Sequence, residues 1–331
     1  ETQSFSTATN AYNTAVGQAA GQSITTGLQN TLIGSLAGDA LTDADDNVAI
    51  GVVALTADTL GSRSVAVGRG TLGAQNFTTA TNTFNVAVGY DAGAAVTTGV
   101  QNTLIGGAAG DSLTTGDSNV VMGYNALGND QQGDNNVAIG HEALSTQRFT
   151  TNTDSYNVAV GYRAGYVLST GVQNTLIGGL AGDALLASSD NTAVGYRALS
   201  NATTGNENTA IGHTALFTNI LSDRNVAVGV DALSVHNQAT SVDSYNVAVG
   251  YAAGQEVTTG ISNTLIGGLA GDALTDADDN VVLGREALTT DTLGNRSTAV
   301  GRSALSTQNF TTATNSDNVA VGAYTGDAIT T

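Results

Sequence analysis

Apolar and polar residues recur along the chain in one fixed frame: Asn, then Val or Thr, then a small or aliphatic residue, then an aliphatic residue, then Gly. This five-residue pattern, seen as Asn-Val-Ala-Ile-Gly over residues 47–51, occurs eighteen times in the 331 residues, with Ser64 and Ser297 in place of the Asn in two of them. Thirteen of the seventeen spacings are 17 residues and four are 21. A constant period of this length is typical of a solenoid in which each repeat forms one coil. The pattern therefore predicts an all-β chain folded as a parallel β-solenoid (β-roll) of eighteen coils.

The pattern inside a coil predicts where its strands lie. If the Asn is position 1, positions 2 to 4 form an apolar run whose alternate side chains point to opposite faces. We expect positions 2 and 4 to point into the roll. Because position 3 is also apolar, we expect this strand to be buried on both sides. A second Gly at position 15, as in Gly27 and Gly61, marks a second corner and predicts two strands per coil.

Positions 1 and 5 predict a structural ladder along the solenoid. Position 5 is Gly in all eighteen coils, which indicates a positive φ or a very close backbone contact. Stacked Asn side chains at position 1 can bond to one another or cap the corner backbone. The predicted ladder includes Asn13, Asn30, Asn47, Asn85, Asn102, Asn119, Asn136, Asn157, Gly17, Gly34, Gly51, Gly89 and Gly106.

A longer repeat is superimposed on the coils. Position 9 runs Gly, Gly, Leu, Leu through each set of four coils, and each set ends with a 21-residue coil. This gives a superrepeat of 72 residues, except for one of 89 residues that contains an extra coil. We therefore predict that residues 1–331 form a single continuous solenoid with partial superrepeats at both ends.

Composition narrows the classes of partner. The chain has 28 acidic residues against nine Arg, giving a net charge of -19, and it contains no Lys, Cys, Pro or Trp. So acidic a chain cannot neutralise phosphates, which argues against nucleic acid and anionic membranes as partners. No apolar run approaches the roughly 20 residues of a membrane-spanning helix, so we expect no membrane insertion in this segment.

No catalytic constellation emerges from the sequence. The three His residues lie in different coils, no Cys is available as a nucleophile, and nothing pairs the many Ser and Thr residues with a base and an acid. We therefore expect no enzyme activity and no cofactor.

Two acidic corners are the best candidates for a ligand. The segment 36–47 recurs identically at 269–280, and each copy crowds three Asp residues into one turn. Like charges this close repel, and a hard cation with oxygen ligands would relieve the repulsion. The alternative is a solvated acidic turn. The candidate calcium ligands are Asp43, Asp45, Asp46, Asp276, Asp278 and Asp279.

Aromatic residues form a candidate contact surface. Five Tyr residues share position 6, just after the corner Gly, and three Phe residues lie in the long loops of the 21-residue coils. They could recognise a partner, or they could stack across coils and pack between chains. These residues are Tyr90, Tyr124, Tyr162, Tyr196, Tyr251, Phe77, Phe149 and Phe310.

The motif at residues 47–51 and 136–140, followed by Ala three residues after the Gly, resembles the head repeat of YadA-like trimeric autotransporter adhesins. Related Asn-Thr-Ala-Val-Gly-Tyr repeats are similar to those of bacteriophage tail fibres. The resemblance covers nearly the whole chain. It implies a left-handed roll, three chains side by side and adhesion at a surface, although the coils here are longer than those of the adhesin head.

The expected function is therefore an extracellular structural or adhesive fibre segment, located at a cell surface or in a virion tail fibre. We expect a homotrimer that buries position 3 or position 8 between chains, and the partner on the host surface, a receptor or glycan, is not specified. The alternatives are a phage tail fibre, a subunit that polymerises end to end into a longer filament, and an ice-binding or other ligand-binding solenoid. Ice binding needs a regular exposed Thr array, whereas position 2 mixes Thr with Val and is expected to be buried.

Overall fold

The computed structural model describes residues 10–331, and the chain is all-β with no helix in this range. Its backbone winds as a parallel β-solenoid of about eighteen turns with 17-residue spacing, which confirms the predicted fold class. Two compact units are distinguished, the first ending at Arg163 and the second running from Ala164 to Thr331. That residues 1–331 form one continuous solenoid stays a prediction, and its first nine residues lie outside the described range.

Within residues 10–331 each unit has nine three-residue strands and four two-residue strands. Those of the first unit are β1 (Thr14–Val16), β2 (Thr31–Ile33), β3 (Val48–Ile50), β4 (Gly61–Ser62), β5 (Val65–Val67), β6 (Thr81–Asn82), β7 (Val86–Val88), β8 (Thr103–Ile105), β9 (Val120–Met122), β10 (Gly133–Asp134), β11 (Val137–Ile139), β12 (Thr153–Asp154) and β13 (Val158–Val160). Those of the second unit are β14 (Thr175–Ile177), β15 (Thr192–Val194), β16 (Thr209–Ile211), β17 (Ser222–Asp223), β18 (Val226–Val228), β19 (Val242–Asp243), β20 (Val247–Val249), β21 (Thr264–Ile266), β22 (Val281–Leu283), β23 (Gly294–Asn295), β24 (Thr298–Val300), β25 (Thr314–Asn315) and β26 (Val319–Val321).

The three-residue strands of each unit pair in parallel and in register. Thr14 lies opposite Thr31, and Val65 lies opposite Val86 across a 21-residue coil. The four extra residues therefore leave the sheet as a loop without shifting its register. In the described part of the chain the expected second strand of each coil is found only as four short pairs beside these loops, such as β4 with β6. Elsewhere turns joined by coil-to-coil hydrogen bonds take its place.

The predicted orientation of the strands is wrong. In every three-residue strand after β1 the middle residue, position 3, is buried, whereas positions 2 and 4 are half-buried or exposed. Leu32 has no exposed surface, but Ile33 is 39% exposed. Both faces of the strand are apolar, so alternation alone could not tell which face is inside. Position 3 is mostly Ala because the roll is thin.

Inside the roll, a small residue at one position leaves room for larger side chains at neighbouring positions. A Cβ added to Gly38 at position 9 would lie 2.8 Å from Leu32 and from Leu41, so the small residue makes room for two leucines. In the next coil Leu55 occupies position 9 and the polar Asp58 occupies position 12. The sixteen alanines at position 8 are also buried inside the roll. The expectation that position 3 or position 8 packs between chains is therefore wrong.

The corner glycine at position 5 is required by both backbone conformation and contact. Gly17 has φ +136°, and a Cβ on it would lie 2.4 Å from the carbonyl oxygen of Gly34 in the next coil. L-residues rarely adopt this conformation, and no side chain fits the space. The invariant Gly thus allows successive coils to stack with their corners in contact.

Candidate functional site

The Asn side chains of position 1 form a hydrogen-bonded column inside each unit. The Oδ1 of Asn13 accepts from the backbone N–H of Asn30 at 2.8 Å, and the Nδ2 of Asn30 donates to the carbonyl of Ala44 in its own coil at 2.7 Å. The same geometry recurs in the second unit, where Asn263 Nδ2 donates to Ala277 O at 2.7 Å. Each buried Asn closes one coil and binds the next, so these residues are structural and offer no group to a ligand.

The acidic corner of the first unit disperses its three carboxylates among different partners. Asp43 accepts from the Thr26 hydroxyl at 2.5 Å, and Asp45 accepts from the backbone N–H of Leu28 at 2.7 Å. Asp46 faces Arg63, with 3.6 Å between Oδ2 and Nε. Each carboxylate thus has a protein partner.

The corner of the second unit repeats this arrangement. Asp276 accepts from Thr259 at 2.5 Å, and Asp278 accepts from the backbone N–H of Ile261 at 2.8 Å. Asp279 lies 4.0 Å from Arg296. Within residues 10–331 no group of three or more His, Cys, Asp or Glu side chains is arranged to hold a metal ion. The geometry therefore favours solvated, hydrogen-bonded turns over the calcium sites expected from sequence.

Position 16 forms a second ladder that sequence reasoning missed. The Asp, Asn or Ser side chain at this position accepts a hydrogen bond from a backbone N–H of the preceding coil. The N–H of Val100 donates to Asp117 at 2.7 Å, and the N–H of Ser189 donates to Asn206 at 2.8 Å. The signal was the restriction of this position to short polar acceptors in many coils. Asp45 and Asp278 belong to this ladder, which explains part of the acidity of the two corners.

The tyrosines of position 6 lie on the surface, each between 50% and 62% exposed. His141 stacks between Tyr124 and Tyr162, with ring centroids 5.4 and 5.6 Å apart. Tyr90 accepts a hydrogen bond from Arg69 at 3.0 Å, and Tyr196 lies 5.5 Å from His213. Cross-coil contacts between aromatic rings and exposure to solvent therefore occur together at this position.

The Phe residues of the long loops are mostly inside. Phe77 and Phe149 are only 6% and 7% exposed, and Phe310 is half-buried. The backbone N–H of Phe149 donates to buried Asp130 at 2.9 Å, which ties the loop to the core. Phe77 and Phe149 are therefore anchors of the loops, and their assignment to a contact surface is corrected.

Polar pairs are buried where the long loops leave the coil. Asp130 Oδ2 accepts from Gln147 Nε2 at 2.7 Å, and burial raises the pKa of the Asp130 carboxyl. The second unit keeps such a pair at Asp291 and Gln308, but at its other equivalent place Asn219 and His236 replace it. Neither ring nitrogen of His236 has a hydrogen-bond partner, and burial lowers the pKa of this imidazole to about 4.

The outward face of the sheet is uncharged in both units. Positions 2 and 4 carry only Val, Thr, Ile, Leu and Met through all eighteen coils. Two columns separated by two residues over nine coils cover about 7 Å by 43 Å in each unit, or about 300 Å². This area, part of it contributed by Thr, is comparable with the largest apolar patch of a typical monomer, about 300–600 Å², which often has a function. We call the side chains of positions 2 and 4 the outer sheet face.

These features define a repeat protein of the parallel β-solenoid class. Comparison with models of known protein families finds no match to the chain, and comparison with curated proteins finds no significant match. No helix long and apolar enough to cross a membrane occurs among the described residues.

Proposed function

We propose that the chain is a segment of an extracellular structural or adhesive fibre, in which identical chains associate side by side through the outer sheet face. The observation that carries the proposal is the absence of any charged residue from this face in eighteen coils of a chain whose net charge is -19. Burial of β-branched side chains would drive association. The acidic and aromatic positions would remain outside.

A homotrimer is the assembly we favour. The outer sheet face is only two side-chain columns wide in each unit, so three chains could bring their faces to one axis and leave their other sides exposed. The resemblance to YadA-like adhesin heads and phage tail fibres agrees with this arrangement. A surface role, with a receptor or glycan as the partner, follows from the same resemblance and from the exposed tyrosines of position 6.

Light scattering on the full chain tests the assembly. We expect a mass close to three times 33.0 kDa. Replacing Ile33, Val88 and Met122 by Asp places three charges on the outer sheet face and should give monomers. Replacing the exposed Thr79, Thr98 and Thr151 by Asp adds the same charge elsewhere and should leave the mass unchanged. A wild-type monomer would refute the proposal, and a continuous filament in electron micrographs would favour end-to-end polymerisation.

An ice-binding solenoid is the second class considered. Position 2 is outward, so the expectation that its Thr residues are buried is wrong. The Thr residues are nevertheless interrupted by Val, for example at Val48, Val65 and Val86 in succession. A regular Thr lattice is therefore missing from the outer sheet face, and we favour chain association.

A further inference from the structure

A polar cleft opens on the surface of the first unit beside the long loop of residues 147–156. It has a volume of about 510 Å³ and is lined by Ser112, Asn129, Gln131, Thr146 and Arg148. These residues occupy positions 11 and 13 of three successive coils. The Nδ2 of Asn129 donates to the carbonyl of Ser145 at 2.7 Å, which fixes the orientation of this amide.

Arg148 differs from the other eight arginines of the chain. Each of those pairs with a carboxylate or lies over an aromatic ring, as Arg163 does with Glu142 and Arg197 with Phe217. For exposed Arg148 the described part of the chain provides neither partner. Arg197 and Arg302 also form no ion pair among the described residues, but each lies over an aromatic ring, so Arg148 differs from them in having neither kind of partner.

The combination of this polar lining with an arginine occurs in one superrepeat. At the five equivalent positions the first superrepeat has Ala40, Ala57, Thr59, Ala74 and Asn76. Asn also occupies the place of Arg148 in the other two superrepeats, as Asn237 and Asn309. A chain that otherwise repeats its coils closely therefore departs from its pattern at several neighbouring surface positions, and the change brings polar side chains and a cation together.

We propose that this cleft binds a saccharide that carries a carboxylate. The planar guanidinium of Arg148 matches a carboxylate through two parallel hydrogen bonds. The amides of Asn129 and Gln131 and the hydroxyl of Ser112 supply donors and acceptors for sugar hydroxyls. A single cation among neutral polar groups suits one anionic sugar unit better than a densely charged polymer, which the net charge of -19 would repel.

The two acidic residues next to the lining in sequence form no ion pair with Arg148. Asp130, between two lining residues in sequence, is fully buried and accepts from Gln147 and from backbone N–H groups. Asp111 precedes Ser112, but it is absent from the lining of the cleft. Positions 11 and 13 also lie outside the outer sheet face, so the site does not depend on chain association.

Titration of the full chain with glucuronate, glucose and acetate, followed by calorimetry or ligand-observed NMR, tests the proposal. We expect millimolar binding of glucuronate, with glucose and acetate each at least tenfold weaker. Arg148→Asn, which restores the residue of the other superrepeats, should weaken glucuronate binding at least tenfold. Equal binding of glucuronate by the wild type and this variant, or no binding by either, would overturn the site. Acetate binding as tight as glucuronate would overturn the saccharide assignment.

Two matched variants distinguish glucuronate binding by the cleft from a general effect of positive charge. Arg285→Asn makes the same change in net charge at an exposed arginine of the second unit and should leave glucuronate binding unchanged. Asn76→Arg places arginine at the equivalent point of the first superrepeat, where alanines replace the polar lining, and should add no second site. A second site of equal affinity in this variant would show that the cleft lining is irrelevant. Because the oligomeric mass is measured separately, failure of this proposal can be told apart from failure of the fibre proposal.

Discussion

Gln75 and Asp58 are joined by a hydrogen bond of 2.6 Å from Nε2 to Oδ2 in the fully buried interior of the first unit. The other oxygen of Asp58 accepts from the backbone N–H groups of Gly61 and Phe77 at 3.0 and 3.1 Å. The pair therefore connects a core position, a corner and the start of a long loop. The same arrangement recurs at Asp291 and Gln308 in the second unit, also at 2.6 Å.

Asp58→Ala should destabilise the fold strongly. The substitution leaves the N–H groups of Gly61 and Phe77 and the amide of Gln75 buried without an acceptor, and loss of one partner from such a buried network costs about 3–5 kcal/mol. Chemical denaturation followed by circular dichroism measures the change. Asp46→Ala, at an exposed carboxylate of a neighbouring coil, should cost less than about 1 kcal/mol. Equal losses in the two variants would contradict the role assigned to Asp58.

Replacement by alanine should destabilise the fold at one of two adjacent glycines and have almost no effect at the other. Gly267 has φ +134°, and a Cβ there would lie 2.6 Å from the carbonyl carbon of Gly284. Gly268 has no heavy atom within 4 Å of its added Cβ and no positive φ. Gly267→Ala should lose more than about 3 kcal/mol from strain and coil separation, whereas Gly268→Ala should be nearly neutral. Matching melting temperatures for the two variants would show that the coil contact is dispensable.

The sequence predicts the period, the corner glycine and the number of coils because the same five-residue pattern marks each of the eighteen coils. It does not predict the inward face, since both sides of the strand are apolar. A usable signal was nevertheless present. Leu32 stands at position 3 where position 9 is Gly38, and such size compensation indicates contact across the interior. The exposure of the outer sheet face, and hence the surface for association, can be inferred only once position 3 has been assigned to the interior.

The site residues were predictable only in part. The acidity at Asp45 and Asp278 suggested a cation, but these side chains accept hydrogen bonds from the backbone of the neighbouring coil. One sequence cannot show whether a carboxylate faces another carboxylate or an N–H group. Likewise, Phe77 and Phe149 are in polar loops, where burial depends on how the loop folds back.

Calcium should not stabilise the chain beyond its effect on ionic strength. The carboxylates of Asp43 and Asp276 bond to threonines, and the neighbouring Asp residues have their own partners. Salt in general should raise the melting temperature, because screening reduces the repulsion of a -19 chain. Thermal melts in millimolar calcium and in sodium chloride of equal ionic strength should coincide. A higher melting temperature in calcium, lost on changing Asp43, Asp45 and Asp46 to Asn, would restore the metal interpretation.

His236 should make the second unit sensitive to mild acid. Its buried imidazole has no hydrogen-bond partner, and burial lowers its pKa from 6.5 to about 4. The unfolded chain takes up a proton near pH 6.5, whereas the folded chain does so only near pH 4. The contribution of the neutral ring to stability is therefore fully present above pH 6.5 and is lost as the pH falls towards 4, with a total of about 3 kcal/mol.

His236→Gln tests this contribution with the residue that the other three superrepeats carry at the same place, Gln75, Gln147 and Gln308. The variant removes the titrating ring, so the difference in unfolding free energy between pH 7 and pH 4.5 should shrink by about 2–3 kcal/mol relative to the wild type. Denaturant titrations at closely spaced pH values measure this difference. His141→Gln, at an exposed ring, is the control and should follow the wild-type pH profile. If His236→Gln and the wild type lose stability in parallel between pH 6.5 and 4, the buried imidazole is not the source of the acid sensitivity, and the carboxylates of the chain must account for it.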